Sequence, residues 1–87
     1  MDPTVAPTAR ADANDDAFLD ALQAKNIHYP SPEAALSGAH EVCNELQRGA
    51  SPSQVASAVM DNSPLDGYHA GYFVGASMRA YCPQYIS

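Results

Sequence analysis

The chain has 87 residues, of which 46% are hydrophobic and 16% charged, and its formal net charge is -6. This length limits it to one small domain, and the near-average composition excludes a fibrous or wholly disordered chain. Four Lys and Arg residues against ten Asp and Glu exclude the basic surface that nucleic acids and anionic membranes require.

The first 13 residues contain two prolines and no apolar periodicity, which predicts a flexible N-terminal tail. No run in this segment is apolar enough for a signal peptide or a membrane span. We interpret it as an ordinary tail, as the start of a chain whose leader has been removed, or as an added expression start. The helical domain is then predicted over residues 14–87.

The first helix of this domain is predicted to begin at Asn14 or Asp15, because short side chains with an oxygen cap the free amides of a first turn. The apolar residues that follow recur at helical spacing, and they are Phe18, Leu19, Leu22 and Ile27.

The second and third predicted helices both begin with a serine followed by a proline. Ser31 and Ser51 can accept hydrogen bonds from first-turn amides, and a proline in the first turn loses no helical partner. Gly49 is predicted to end the second helix, and residues 62–64 to end the third. The apolar face of the second helix consists of Leu36, Ala39, Cys43 and Leu46.

A fourth helix is predicted from Gly67, with Asp66 as its cap, to Cys82, where Pro83 stops it. It is apolar on nearly every side, which is typical of a central helix against which the others pack.

Two glycines of this fourth helix, Gly71 and Gly75, lie on the same side of a helical wheel as Cys82. Each glycine costs about 1 kcal/mol relative to alanine inside a helix, so the pair favours a close helical neighbour. We therefore expect Gly71 and Gly75 to pack against the second helix near Ala39.

The chain contains two cysteines, Cys43 and Cys82. They can stay free and buried, as in a cytosolic protein, but an even number in a short acidic chain favours a disulfide in an oxidising compartment. The bond would close a loop of about 40 residues and add about 4 kcal/mol of stability. The sequence thus predicts a single all-α domain of about four short helices held by one disulfide.

Five segments of the chain form a recognisable series, and they are Asp15-Asp16-Ala17-Phe18-Leu19, Gly38-Ala39-His40-Glu41-Val42-Cys43, Ser51-Pro52-Ser53-Gln54-Val55-Ala56, Gly71-Tyr72-Phe73-Val74-Gly75-Ala76 and Tyr81-Cys82-Pro83-Gln84-Tyr85. In this order, and over about residues 14–86, they resemble the mycobacterial domain-of-unknown-function family 732. The resemblance implies a small, helical, extracytoplasmic protein that is made with a signal peptide and has paired cysteines. It implies no biochemical activity, because the family has none assigned.

Metal binding is not favoured by the histidines and cysteines. His40 and Cys43 are one helical turn apart, a spacing that can chelate, but two ligands do not make a site and a disulfide would consume Cys43. The acidic segment 12–23 resembles the start of a calcium loop but lacks the glycine and the bidentate carboxylate that such a loop needs. We expect no metal and no other cofactor.

No constellation for nucleophilic catalysis is present either. The sequence has no Gly-x-Ser-x-Gly turn and no cysteine with a nearby base outside the expected disulfide. Its paired carboxylates fit a helix start and a solvated helix face. The chain is therefore predicted not to be an enzyme.

Three residues of the fourth helix, Tyr68, Tyr72 and Arg79, lie within about 40° of each other on the wheel. Tyrosine and arginine are enriched in binding hot spots, so these residues form the candidate interaction patch. The competing interpretation is that Tyr72 simply packs under the first helix.

The functional prediction is an exported, monomeric, non-catalytic module that binds an unidentified protein. The alternative is a small secreted enzyme or a carrier of a ligand or metal. An enzyme or carrier should enclose a pocket of a few hundred Å³, which a domain of this size is not expected to spare from its core.

Overall fold

The computed structural model describes the backbone of residues 5–86 and the side chains of residues 13–86. This part of the chain contains helices and no strand, which confirms the all-α class. The elements are α1 (Val5–Ala24), α2 (Pro32–Gln47), α3 (Pro52–Asp61), α4 (Gly67–Tyr81) and a 3₁₀ turn (Pro83–Tyr85).

The predicted caps of α2, α3 and α4 are all present. Ser31 Oγ accepts from the Ala34 amide at 3.1 Å, and Asp66 Oδ1 accepts from the amide three residues later at 2.9 Å. Ser51 and Gln54 form a reciprocal capping box, with bonds of 3.1 and 2.8 Å. These helix starts are therefore set by local sequence.

Two helices end at a residue with a left-handed backbone. Gly49 has φ 104° after α2, as its predicted role requires, and Asn26 has φ 58° after α1. The Ile27 amide donates to the Leu22 carbonyl and the Asn26 amide to the Gln23 carbonyl. These two hydrogen bonds are those of a Schellman motif. Ile27 therefore lies beyond α1 and enters the core through this turn.

The predicted cap of the first helix is wrong, because α1 begins at Val5. Asn14 and Asp15 instead bond to the far end of α4. Asn14 Nδ2 donates to the Ala80 carbonyl at 2.9 Å, and the Tyr81 hydroxyl donates to Asp15 Oδ1 at 2.5 Å. Their oxygen and amide groups serve tertiary contacts rather than a helix start.

The predicted tail, residues 1–13, lies partly outside the described residues, which exclude residues 1–4. The helical backbone from Val5 is consistent with the alanines at positions 9, 11 and 13, since alanine is the best helix former. The flexibility of this segment on the nanosecond timescale stays a prediction that backbone order parameters would measure.

The central helix of the domain is α4, as predicted, and α1, α2, α3 and the 3₁₀ turn all contact it. The buried face of α2 is Ala35, Ala39, Val42 and Leu46, so Ala39 lies in the core as expected, whereas Leu36 and Cys43 are half-buried at its edge. The core as a whole consists of Phe18, Leu22, Ile27, Ala35, Ala39, Val42, Leu46, Val55, Phe73, Val74, Ala76 and Cys82.

The predicted disulfide joins α2 to the residue just after α4. The sulfur atoms of Cys43 and Cys82 are bonded, and their Cα atoms lie 6.0 Å apart. Cys82 is 2% exposed, so this end of the bond belongs to the core.

The expected helix packing at Gly71 and Gly75 is wrong. Apart from chain neighbours and the backbone of α4 itself, no described heavy atom lies within 4 Å of a Cβ built on Gly71, and the nearest to one on Gly75 is the Arg79 guanidinium of the same helix, at 3.6 Å. The helical wheel does not give the direction of the Cys82 side chain, because Cys82 lies at the end of α4 and its φ of -149° is not helical. The close approach occurs at Gly38, where a Cβ would lie 3.2 Å from Phe73 Cζ.

Candidate functional site: a cationic tyrosine surface and an apolar groove

The three residues of the predicted interaction patch differ in exposure. Tyr68 is 62% exposed and Arg79 is also exposed, but Tyr72 is half-buried and packs against the core. The patch is therefore an open surface whose middle residue also supports the fold.

A lysine in the turn after α1 completes this surface. Lys25 Nζ donates to the Tyr68 hydroxyl at 3.1 Å and lies 5.3 Å from the centre of the Tyr72 ring. Arg79 Cζ lies 5.7 Å from the same centre. Both cations are within the range of a cation–π interaction. We call Lys25, Tyr68, Tyr72 and Arg79 the cationic tyrosine surface.

Among the described side chains, the cations of this surface have no acidic partner within 4 Å. The ion pairs there join Arg48 to Glu41 and Glu45, and His69 Nδ1 lies 2.7 Å from Asp66 Oδ1. Neither Lys25 nor Arg79 has such a partner in residues 13–86. The hydrogen bond to Tyr68 raises the pKa of Lys25 further, so its ammonium stays charged at neutral pH.

Sequence reasoning missed Lys25 because it lies in the turn after α1, far along the chain from the tyrosines. Its position depends on the left-handed Asn26 and on how α1 crosses α4. The only local signal was a lysine at the end of a helix, which the helix dipole explains equally well.

A second feature is an apolar groove between α2 and α3, with a volume of about 550 Å³. Both helices pack mainly on α4 rather than on each other, and the gap between them forms a groove that lies over part of the core. The deepest lining side chains are apolar and buried, and they are Leu22, Ile27, Val42, Val55 and Phe73. The groove reaches the volume of a small-molecule pocket, but it is open along one side and does not enclose a ligand, so the expectation that so small a domain cannot enclose a pocket stays a prediction.

Four of the polar groups that line the groove are engaged locally. Asn62 Nδ2 and Ser63 Oγ donate to carbonyls of α3, at 2.9 and 2.7 Å. The carboxylates of Glu41 and Glu45 lie 3.7 and 3.1 Å from Arg48. The groove thus presents an apolar floor with acid groups at its rim, and the Ser63 hydroxyl donates to a backbone carbonyl.

Both residues of the candidate metal pair have other partners in the structure. Cys43 is in the disulfide, and the His40 ring instead stacks on Tyr81 with 4.6 Å between ring centres. Within residues 13–86, no three His, Cys, Asp or Glu side chains converge on a possible metal position. Within the described part of the chain, every helix is too short or too polar to cross a bilayer.

Tyr81 sits at the junction of α1, α2 and α4. Its ring contacts Phe18 edge to face at 5.6 Å as well as His40, and its hydroxyl donates to Asp15. Burial, together with this hydrogen bond to the carboxylate, raises the pKa of Tyr81 well above its usual value. Since the pKa is raised in the folded state, the contribution of Tyr81 to stability is complete below about pH 10 and falls as the pH rises beyond it.

Replacing Tyr81 with Phe is expected to remove this alkaline dependence. The ring contacts with Phe18 and His40 remain, but the donor to Asp15 is lost, so the free energy of unfolding at pH 7 should fall by about 1 kcal/mol. Urea denaturation measured at pH 7 and above pH 10 checks both effects. A variant whose stability declines above about pH 10 as steeply as that of the wild type would contradict the assignment.

The chain is similar to a known protein family and to mycobacterial proteins. Residues 14–84 match the family described as protein of unknown function (DUF732). The uncharacterized protein Mb1323c of Mycobacterium bovis is 42% identical over 82 residues, which are 94% of this chain and 74% of that protein. The uncharacterized protein Rv1271c of Mycobacterium tuberculosis is 35% identical over 82 residues, 94% of this chain and 73% of that protein.

No solved structure is significantly similar to the chain. The match to the family covers all of α2, α3 and α4 and reaches into the 3₁₀ turn, and in α1 it begins at Asn14, which bonds to α4. The chain therefore belongs to the DUF732 family.

Proposed function

We propose that this protein is an exported, monomeric, non-catalytic module that binds an acidic protein through the cationic tyrosine surface. The observation that carries the proposal is the placement of Lys25 and Arg79 over the Tyr72 ring with no acidic partner within 4 Å among the described side chains. In a chain of net charge -6, this is a local surface of the opposite sign.

The chemistry of these residues suits protein binding. Tyrosine and arginine supply large contact areas and hydrogen-bond donors, and they dominate hot spots in protein interfaces. Lys25 fixes the Tyr68 hydroxyl before a partner arrives, which lowers the entropy lost on binding. An acidic protein would be favoured over an anionic bilayer as the partner. A bilayer would face much of the acidic surface of the chain and be repelled by it, whereas a protein can contact the cationic tyrosine surface alone.

Export is supported by the disulfide. Disulfides persist in oxidising compartments and are rare in the cytosol of most organisms, and among the described residues both cysteines are consumed in the bond. The proposal therefore places the binding event outside the cytoplasm.

The test uses the oxidised full chain immobilised on a surface and exposed to a mycobacterial cell-envelope extract. The variant carries Tyr68→Ala and Arg79→Ala, both at exposed positions, and the matched control is Arg48→Ala, which removes an exposed cation on α2. We expect an acidic protein to be retained by the wild type and the control, and to be released by salt. The double variant should bind it at least about tenfold more weakly.

Equal retention by the double variant and the control would overturn the proposal, as would a failure of the wild type to retain any protein in a salt-sensitive manner. Far-ultraviolet circular dichroism of the three proteins should be the same, because exposed substitutions rarely disturb a fold.

A further inference from the structure

The apolar groove between α2 and α3 is open along its upper edge. Ala34, Ala58 and Asn62 line it and are exposed, whereas the floor residues are buried. Pockets for small molecules enclose most of the ligand surface, about 70–90% of it. A trough with an open edge instead suits a helix that inserts one apolar face and leaves the other in water.

The dimensions agree with a short helix. The α3 wall has 10 residues, which corresponds to about 15 Å, and the α2 wall is longer. A partner helix of about three turns matches this length and would place side chains at i, i+3 or i+4 and i+7 in the groove.

The charge of the rim selects the partner. The groove lining includes Glu41 and Glu45 and contains no lysine or arginine. Arg48 lies near both carboxylates but is one cation for two anions, and its side chain is 65% exposed. The rim is therefore net negative. An acidic headgroup or an acidic peptide would be repelled, and a basic residue would be attracted.

We propose that this groove is a second binding site, separate from the cationic tyrosine surface, that takes an amphipathic basic helix of a partner protein. Apolar side chains of that helix contact Tyr29, Val59 and Leu65, the half-buried apolar residues of the lining, and a lysine or arginine pairs with the carboxylates of Glu41 and Glu45. The bare Cα of Gly38 lets the Phe73 ring reach the floor from α4, since a Cβ there would lie 3.2 Å from Phe73 Cζ.

The experiment titrates the isotope-labelled, oxidised full chain with two synthetic peptides of about 12 residues, one repeating Leu-Lys-Lys-Leu and the other Leu-Glu-Glu-Leu. We expect the lysine peptide to shift amide resonances of Gly38 and Ala58 and to bind at least about tenfold more tightly than the glutamate peptide at low salt. The shifts should be confined to groove residues and leave those of Tyr68 and Arg79 in place.

Two variants with matched controls separate the groove from general attraction to an acidic chain. Ala58→Arg places a large cation at the open edge of the groove and should weaken the lysine peptide by about tenfold or more. Ser57→Arg adds the same charge at the preceding position of α3, which is outside the groove lining, and should change binding by less than about twofold. Both positions are exposed, so neither substitution threatens the core.

The double variant Glu41→Gln, Glu45→Gln should bind the lysine peptide about threefold to tenfold more weakly than the wild type. Glu33→Gln, which changes an exposed α2 carboxylate outside the lining, should leave the binding unchanged.

Equal effects of Ala58→Arg and Ser57→Arg on peptide binding would overturn the proposal. Equal binding of the two peptides would also overturn it, and so would a lysine peptide that leaves the Gly38 and Ala58 resonances unshifted.

Discussion

Replacing Cys43 and Cys82 together with alanine is expected to lower the free energy of unfolding by about 4 kcal/mol. The bond joins residues 39 apart and restricts the unfolded chain, so its removal mainly favours the unfolded state. A domain of this size has a stability of about 4 to 11 kcal/mol, so the variant should be close to its unfolding limit at 37 °C. Urea denaturation of the wild type and the variant measures the difference.

Reduction provides the control for this prediction. The wild type treated with a thiol reductant should unfold at the same urea concentration as the double variant, and the unfolded, unreduced wild type should contain no free thiol. A loss below about 1 kcal/mol would mean that packing alone holds the end of α4 in place.

Phe18→Ala should produce a loss of similar size, about 3 to 5 kcal/mol. Phe18 is 3% exposed and makes edge-to-face contacts with Phe73 at 5.8 Å and with Tyr81 at 5.6 Å. Truncation therefore removes buried apolar surface, two aromatic contacts and the main anchor of α1 at the same time.

The matched control for Phe18→Ala is Tyr68→Ala, which truncates an aromatic residue that is 62% exposed. It should change the free energy of unfolding by no more than about 0.5 kcal/mol. If both substitutions cost the same, α1 would not be held by the contacts that the structure shows.

The parts of the fold that could be predicted from the sequence are those that depend on neighbours along the chain. Ser31, Ser51 and Asp66 begin helices because each side chain reaches an amide three residues away. The disulfide was also predictable, since the chain has only two cysteines to pair.

The parts that could not be predicted depend on contacts between distant segments. Asn14 and Asp15 have the side chains of helix caps, yet they bond to residues 66 positions away. The helical wheel predicted that Gly71 and Gly75 face α2, because it treated Cys82 as part of the helix. Cys82 has a non-helical backbone, which a helical wheel cannot represent.

The candidate site divides in the same way. Helical spacing brought Tyr68, Tyr72 and Arg79 to one side of α4, but the contribution of Lys25 required the crossing of α1 over α4. The groove exists because α2 and α3 both pack on α4 more than on each other. A gap between two helices is not encoded by a local pattern of apolar residues.

The covalent loop from Cys43 to Cys82 encloses α3 and α4 and anchors the last part of α2, but α1 lies outside it. Among the described side chains, those that attach the first helix to the rest of the domain include Phe18, Leu22 and the two that bond to the end of α4. Opening of α1 therefore meets no resistance from the loop, whose entropy is unaffected by it. Since Leu22 and Ile27 also line the groove, each such local opening event rearranges the groove while the disulfide-linked helices remain folded.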